Sequence, residues 1–135
     1  MNITDTAQVL AKIQAFNNRT FDQPAMQAWH ETIGDLDLPD CLQAVSDYFR
    51  ASKEWIMPSD IRSIVMALRN SRIDSMGRDV RLREDDECLD DTKLMIRRHK
   101  HLLGLIAAGR IDRDAYKAYH AGTFDIPGMP KELTK

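Results

Sequence analysis

Tyr48-Phe49-Arg50-Ala51-Ser52-Lys53-Glu54-Trp55-Ile56-Met57-Pro58-Ser59-Asp60-Ile61 is the stretch on which the fold turns. Just upstream, Leu38, Cys41, Leu42, Val45, Tyr48 and Phe49 fall on one apolar stripe of a helix. Lys53-Glu54 interrupts that stripe. Pro58 disfavours the α conformation for Met57, so Trp55-Ile56-Met57 is expected to be extended. Ser59 or Asp60 can cap the next helix, whose stripe is Ile61, Ile64, Val65 and Leu68. Two amphipathic helices joined by so apolar a connector need cover from other helices.

Working upstream, Thr4 or Asp5 can cap a first helix to about Asn17, with Ala7, Val9, Leu10, Ile13 and Phe16 on its apolar side. Asp22-Gln23-Pro24 reads as a cap followed by a first-turn proline. Met26, Trp29 and Ile33 then mark a short second helix ending at Gly34. The third helix starts near Pro39, and the fourth runs from about Ser59 to Ser75, with Gly77 as its stop. No segment alternates apolar and polar residues as a half-buried strand would.

Downstream, the spacing leaves two readings of residues 77–91. They form a charged linker, or Glu84-Asp85-Asp86-Glu87 opens a long fifth helix, where acids favour the N-terminus. That helix reaches Ala108. Leu89, Ile96 and Leu103 sit seven apart on it, with Met95, Leu102 and Ile106 on the same broad side. Asp112 can cap a sixth helix to about Ala121, with Ala115, Tyr116 and Tyr119 as packing residues. The pair is too short to bury this surface from both sides, so it is expected to dock on the N-terminal domain or on another protein.

The chain has 135 residues, 43% hydrophobic and 30% charged, as a globular protein with a modest core would be. The net charge of −2 is distributed in blocks: −4 over residues 1–58, +3 over 59–83, −6 over 84–91, +5 over 92–120 and zero over 121–135. Two cysteines make no disulfide framework, and no apolar run approaches transmembrane length. A cytoplasmic protein with no membrane partner is expected.

The residues supply no catalytic constellation. His30, His99, His101 and His120 are scattered and, with Cys88, make no zinc spacing, so a structural or solvated role is the simpler one. No glycine-rich loop is followed by Lys-Ser/Thr, and no Gly-x-Ser-x-Gly occurs. Two basic stretches remain. Arg62, Arg69 and Arg72 share a face of the fourth helix; that face is either solvated or contacts phosphate. Arg97-Arg98-His99-Lys100-His101 is denser and could meet nucleic acid, the acidic run just before it, or an acidic partner. Trp29 and Trp55 are expected to anchor the core; an exposed Trp55 would instead be a contact hot spot.

These residues carry a resemblance. Trp29, Leu36 or Leu38, Leu42, Ala44-Val45, Tyr48-Phe49 and Trp55 before Pro58-Ser59-Asp60-Ile61 resemble the pattern of phage replicative-helicase loader/inhibitor proteins. In that family a tryptophan-bearing helix precedes a helix with Ala-Val and a late aromatic, and a lysine-aromatic connector follows. The resemblance covers about residues 5–68. It implies a small helical N-terminal domain and a more mobile C-terminal part. It also implies a protein without ATPase activity that binds the hexameric replicative helicase, holds it inactive and delivers it to an origin-bound replication protein.

The expected architecture is all-α: a four-helix N-terminal domain over residues 1–76, a charged linker over 77–91, a helical pair over 92–121 and an irregular tail over 122–135. The expected function is a non-enzymatic adaptor, without cofactor or metal, that restrains and helps load the helicase. Arg97, Arg98, Lys100, Leu103, Tyr116 and Tyr119 are the expected partner surface. The alternatives are a small helical DNA-binding regulator using Arg62, Arg69 and Arg72, with nucleic acid otherwise a secondary partner, and a phage inhibitor of a host protein.

Overall fold

The computed structural model describes residues 1–77 and 80–131. Among them it is all-helical and without strands: α1 (Ile3–Asn17), α2 (Gln23–Ile33), α3 (Leu38–Ala51), α4 (Pro58–Asp74), α5 (Thr92–Ala107) and α6 (Arg113–His120), with one 3-10 turn at Glu84–Asp86. Four helices precede residue 76 and a pair follows, as the spacing predicts. Parts of the expected linker (Arg78 and Asp79) and of the expected tail (residues 132–135) lie outside the described residues. The chain divides into two compact units, Met1–Leu68 and Arg69–Lys135, the division falling within α4.

In the first unit α1 packs on both α2 and α3. Its cap is Asn2 rather than Thr4 or Asp5. The Asn2 side chain accepts from the Asp5 N–H at 2.8 Å, and the Asp5 carboxylate accepts from the Asn2 N–H at 3.2 Å. This reciprocal box satisfies two orphan donors where a lone Thr4 cap would satisfy one, so the helix starts earlier. Asp22 caps α2 through the Ala25 N–H at 2.8 Å, with Pro24 in the first turn as expected. Gly34, which follows α2, has right-handed backbone, so its reason is space: a Cβ there would lie 2.5 Å from the His30 carbonyl oxygen. Asp60, expected as a cap of α4, instead sits inside the first turn and accepts from the Met57 N–H at 2.8 Å.

The core of this unit joins Val9, Leu10 and Ile13 of α1, Trp29 and Ile33 of α2, Cys41, Ala44 and Val45 of α3, Ile61 and Val65 of α4, and Leu36 and Ile56 between helices. Each fully buried aliphatic side chain contributes about 1.5–3 kcal/mol of transfer free energy. The connector departs from expectation at one residue. Trp55 is exposed rather than a core anchor, and Met57 is exposed with it, while Ile56 is fully buried. The extended backbone that Pro58 imposes sends neighbouring side chains to opposite sides. Once Ile56 faces inward, Trp55 and Met57 must face outward.

In the second unit Asp91 caps α5 through the Leu94 N–H at 3.0 Å, and Asp112 caps α6 through the Ala115 N–H at 2.8 Å. The acidic run therefore does not open α5. Leu89 lies before the cap and is exposed, as is Ile96. Of the predicted side, Leu102 and Ile106 are buried, Met95 and Leu103 half-buried; Leu94 and Ala107 complete the buried side in place of Leu89 and Ile96. After α5 the chain turns at Gly109, whose φ of 76° suits glycine, with Arg110 N–H reaching back to the Leu105 carbonyl at 2.9 Å. Arg72 donates to the Ala107 carbonyl at 2.8 Å, placing a cation at the C-terminus of α5.

The helical pair closes its core with segments expected to be linker and tail. Leu82, Leu102, Ile106, Ile111, Tyr119 and Ile126 form the buried cluster, with Ile73, Met76, Val80 and Phe124 among the half-buried residues against it. The cover expected from the N-terminal domain or a partner comes instead from segments expected to be linker and tail, together with Ile73 and Met76 at the end of the expected N-terminal domain. Three histidines bond to the flanking segments by a ring nitrogen. His99 meets the Val80 carbonyl at 2.9 Å, His120 the Arg81 carbonyl at 3.0 Å and His101 the Pro127 carbonyl at 2.6 Å.

Candidate partner-binding surfaces

The expected partner residues of the second unit separate into two sets. Arg97 and Lys100 are exposed on α5 and Leu103 is half-buried. Ile96, Lys100 and Leu103 follow the four-and-three spacing of one helix face, and Arg97 adjoins it. The other three serve the unit's own structure. Tyr119 is fully buried, so it is corrected from surface to core. Tyr116 is half-buried and its hydroxyl accepts from the Arg81 N–H at 3.0 Å. Arg98 donates to the Pro130 carbonyl at 2.8 Å and the Asp86 carbonyl at 3.0 Å.

Beside Ile96 and Lys100 lies a cavity of about 330 Å³. Val80, Leu82, Met95 and Ile96 form its apolar lining, with Arg81, Glu87, His99 and Lys100 as the polar part. Leu103 lines an adjoining groove together with Val80, Arg81 and His99. The arrangement suits an apolar side chain of a protein partner, with bases at the rim to meet carboxylates. Sequence reasoning assigned Ile96 to the helix seam and missed Val80 and Leu82. The signal for Ile96 was its four-residue spacing to Lys100; Val80 and Leu82 gave none, because their placement depends on the fold of an irregular segment.

On the arginine face proposed for phosphate, Arg62 and Arg72 are engaged with the protein itself. Arg62 grips Asp35 with two nitrogens, at 2.6 and 3.2 Å, and donates to the Thr32 carbonyl at 2.8 Å. That guanidinium holds the Asp35 carboxyl below the usual carboxylate range. Arg72 serves the C-terminus of α5, as described above. Arg69 is half-buried.

In the first unit aromatic side chains gather where α1 and α3 end, with Phe16 and Trp55 exposed and Tyr48 and Phe49 half-buried. Phe16 stacks on Phe49 with centroids 4.8 Å apart, and Phe49 meets Tyr48 edge-on at 5.3 Å. The Tyr48 hydroxyl donates to the Trp55 carbonyl at 3.4 Å. Arg19 lies 4.7 Å over the Trp55 ring and donates to the Ile56 carbonyl at 2.7 Å. It also lies over Phe21 and the buried Trp29.

Among the described residues no group of three His, Cys, Asp or Glu side chains can hold a metal ion. His30 faces Thr6, its Nδ1 2.8 Å from the hydroxyl oxygen. Burial pushes the Cys41 thiol up to about 11, with Asp40 adding to the effect, so it is a packing residue and not a thiolate. No helix among the described residues is long and apolar enough to cross a membrane.

Residues 1–59 match the family model described as "G39P, N-terminal domain". The match takes in α1, α2, α3, the connector with Trp55, and the first residues of α4. No curated protein and no solved structure matches the chain.

Proposed function

From N-terminal residues that match the N-terminal domain of a phage helicase loader/inhibitor, we propose that this protein binds a hexameric replicative helicase, restrains it and helps to load it. The family match is the observation that carries the reading. It points to phage DNA replication and to a replicative helicase as partner. An origin-bound replication protein is the second partner this role would require. The action is stoichiometric binding, so purified chain given ATP and magnesium should show no turnover above background. Turnover abolished by one substitution in this chain would overturn that part.

The helicase contact lies mainly on the outer face of α5. Ile96, Arg97, Lys100 and Leu103 support this, because they set an apolar centre among bases beside a cavity. Ile96→Asp with Lys100→Glu should weaken helicase capture about tenfold or more, as loss of an interface anchor does. Both side chains are exposed, so the thermal melt should be unchanged. Full capture by the double variant would remove the contact from this face.

Residues 1–76 are proposed to fold independently, since the core cluster of α1–α4 uses no residue beyond Val65, while Ile73 and Met76 at the end of the fragment pack in the second unit's core. That fragment should melt cooperatively and fail to capture the helicase. A non-cooperative melt would refute the boundary, and capture by the fragment would move the contact to α1–α4.

A further inference from the structure

Trp55 belongs to no contact assigned so far. It is 64% exposed and Met57 is 50% exposed, on a connector whose Ile56 is buried. The Arg19 guanidinium lies 4.7 Å over one face of the indole and holds the ring in place, so the other face stands toward solvent. Among the described residues the indole N–H has no acceptor. Tyr48 links this ring to a second platform. Its hydroxyl reaches the Trp55 carbonyl, and its ring meets Phe49, on which the exposed Phe16 is stacked.

Charge favours neither sign of ligand. Around the ring, residues 18–22 and 47–60 hold three bases, Arg19, Arg50 and Lys53, and four acids, Asp22, Asp47, Glu54 and Asp60. Most are engaged within the unit. Arg50 pairs with Asp47 at 3.4 Å, Asp22 caps α2, Asp60 accepts from the Met57 N–H, and Arg19 covers the indole. Lys53 and Glu54 remain, adjacent and opposite in sign. Single-stranded nucleic acid needs a surplus of bases beside its stacking rings and is poorly matched. The surface suits an uncharged segment with flat apolar faces and a free acceptor for the indole N–H. A helix keeps its interior carbonyls in its own hydrogen bonds. A strand docks along a sheet edge, which the described residues lack. A polyproline II segment has unpaired carbonyls and docks its rings on aromatic side chains.

We propose that Trp55, with the Phe16–Phe49 pair beside it, receives a proline-rich segment of a partner protein in the polyproline II conformation. A proline ring packs on the open face of the indole, and a backbone carbonyl accepts from its N–H. Arg19 preforms the site and the ligand backbone is already stiff, so little conformational entropy is lost on binding. The contact uses no residue of the α5 face proposed for the helicase.

The test is titration of the full chain with an end-blocked decaproline peptide, followed by the Trp55 indole N–H signal in the NMR spectrum. A glycine-serine peptide of the same length is the control. A saturable shift that persists at high salt is expected with decaproline, and none with the control. Trp55→Ala should weaken binding about tenfold or more, read from the backbone signals of Tyr48 and Phe49. Trp55→Phe keeps an aromatic face and drops the donor, so it should weaken binding about two- to tenfold. The side chain is exposed, and a circular dichroism melt confirms that each variant is folded. No saturable binding of decaproline overturns the proposal, as does binding indifferent to Trp55→Ala. With decaproline inert, a Trp55 signal that moves with a single-stranded oligonucleotide, an amphipathic helical peptide or the chain's own concentration assigns the surface to that occupant and equally overturns it.

Discussion

Trp29→Ala is expected to unfold the N-terminal unit, whereas Trp55→Ala leaves it standing. Trp29 is 5% exposed and takes the Phe21 ring edge-on at 5.5 Å. Truncating a buried tryptophan costs about 3–5 kcal/mol, from lost transfer energy and the cavity left behind. A unit of this size has a total stability of about 3–10 kcal/mol at the usual per-residue value. The loss is therefore a large share of the whole, equivalent to a fall of about 10–40 °C in melting temperature. Trp55 loses only an exposed stacking contact with Arg19, worth about 0.5–1 kcal/mol. Paired melts of the two variants measure the contrast. A loss below about 1 kcal/mol on Trp29→Ala would show that the ring does not anchor the core.

That contrast also shows what could be read from the residues. Helix periodicity is local, so α2, α3 and α4 could be placed from Trp29, Val45 and Ile61, and so could their burial. Which of Trp55, Ile56 and Met57 turns inward is a choice between two sides of an extended chain, and local pattern does not decide it. Packing decides it, by taking Ile56 into the cluster of α1, α3 and α4. The same limit applies to the second unit. Asp112 and Gly109 marked the start of α6 and the end of α5 correctly, because caps are local chemistry. The cover supplied by Val80, Leu82, Phe124 and Ile126 was invisible, because irregular segments carry no period. Arg98, Tyr116 and Tyr119 were assigned to a partner for that reason. Their bonding groups had no visible internal partner until residues 80–86 and Pro130 were placed beside them.

Tyr119→Ala should be the most damaging single change in the second unit, and Tyr119→Phe should separate its causes. The ring is fully buried, with the Arg83 guanidinium 4.9 Å from its centroid. Its hydroxyl donates to the Asp86 carboxylate at 2.6 Å and accepts from the Arg83 N–H at 2.9 Å. The Arg83 side chain then holds the tail through the Phe124 carbonyl and Asp125. Alanine removes ring and hydroxyl together, at about 3–5 kcal/mol by analogy with other buried aromatics. Phenylalanine keeps the ring and leaves two polar groups short of a partner, costing about 1–3 kcal/mol. Ionisation supplies an independent check. Burial first, and the hydrogen bond to Asp86 second, raise the Tyr119 phenol above its ordinary range. The folded state thus holds the neutral form after an unfolded tyrosine ionises, near pH about 10. The stability that Tyr119 contributes is complete below that pH and is lost as pH rises toward the folded value. The wild-type chain should therefore lose stability more steeply above pH about 10 than Tyr119→Phe does, although the variant is the less stable at neutral pH. Denaturant melts of both chains from neutral to alkaline pH test this, and parallel slopes would mean that the hydroxyl is not the buried hub its hydrogen bonds describe.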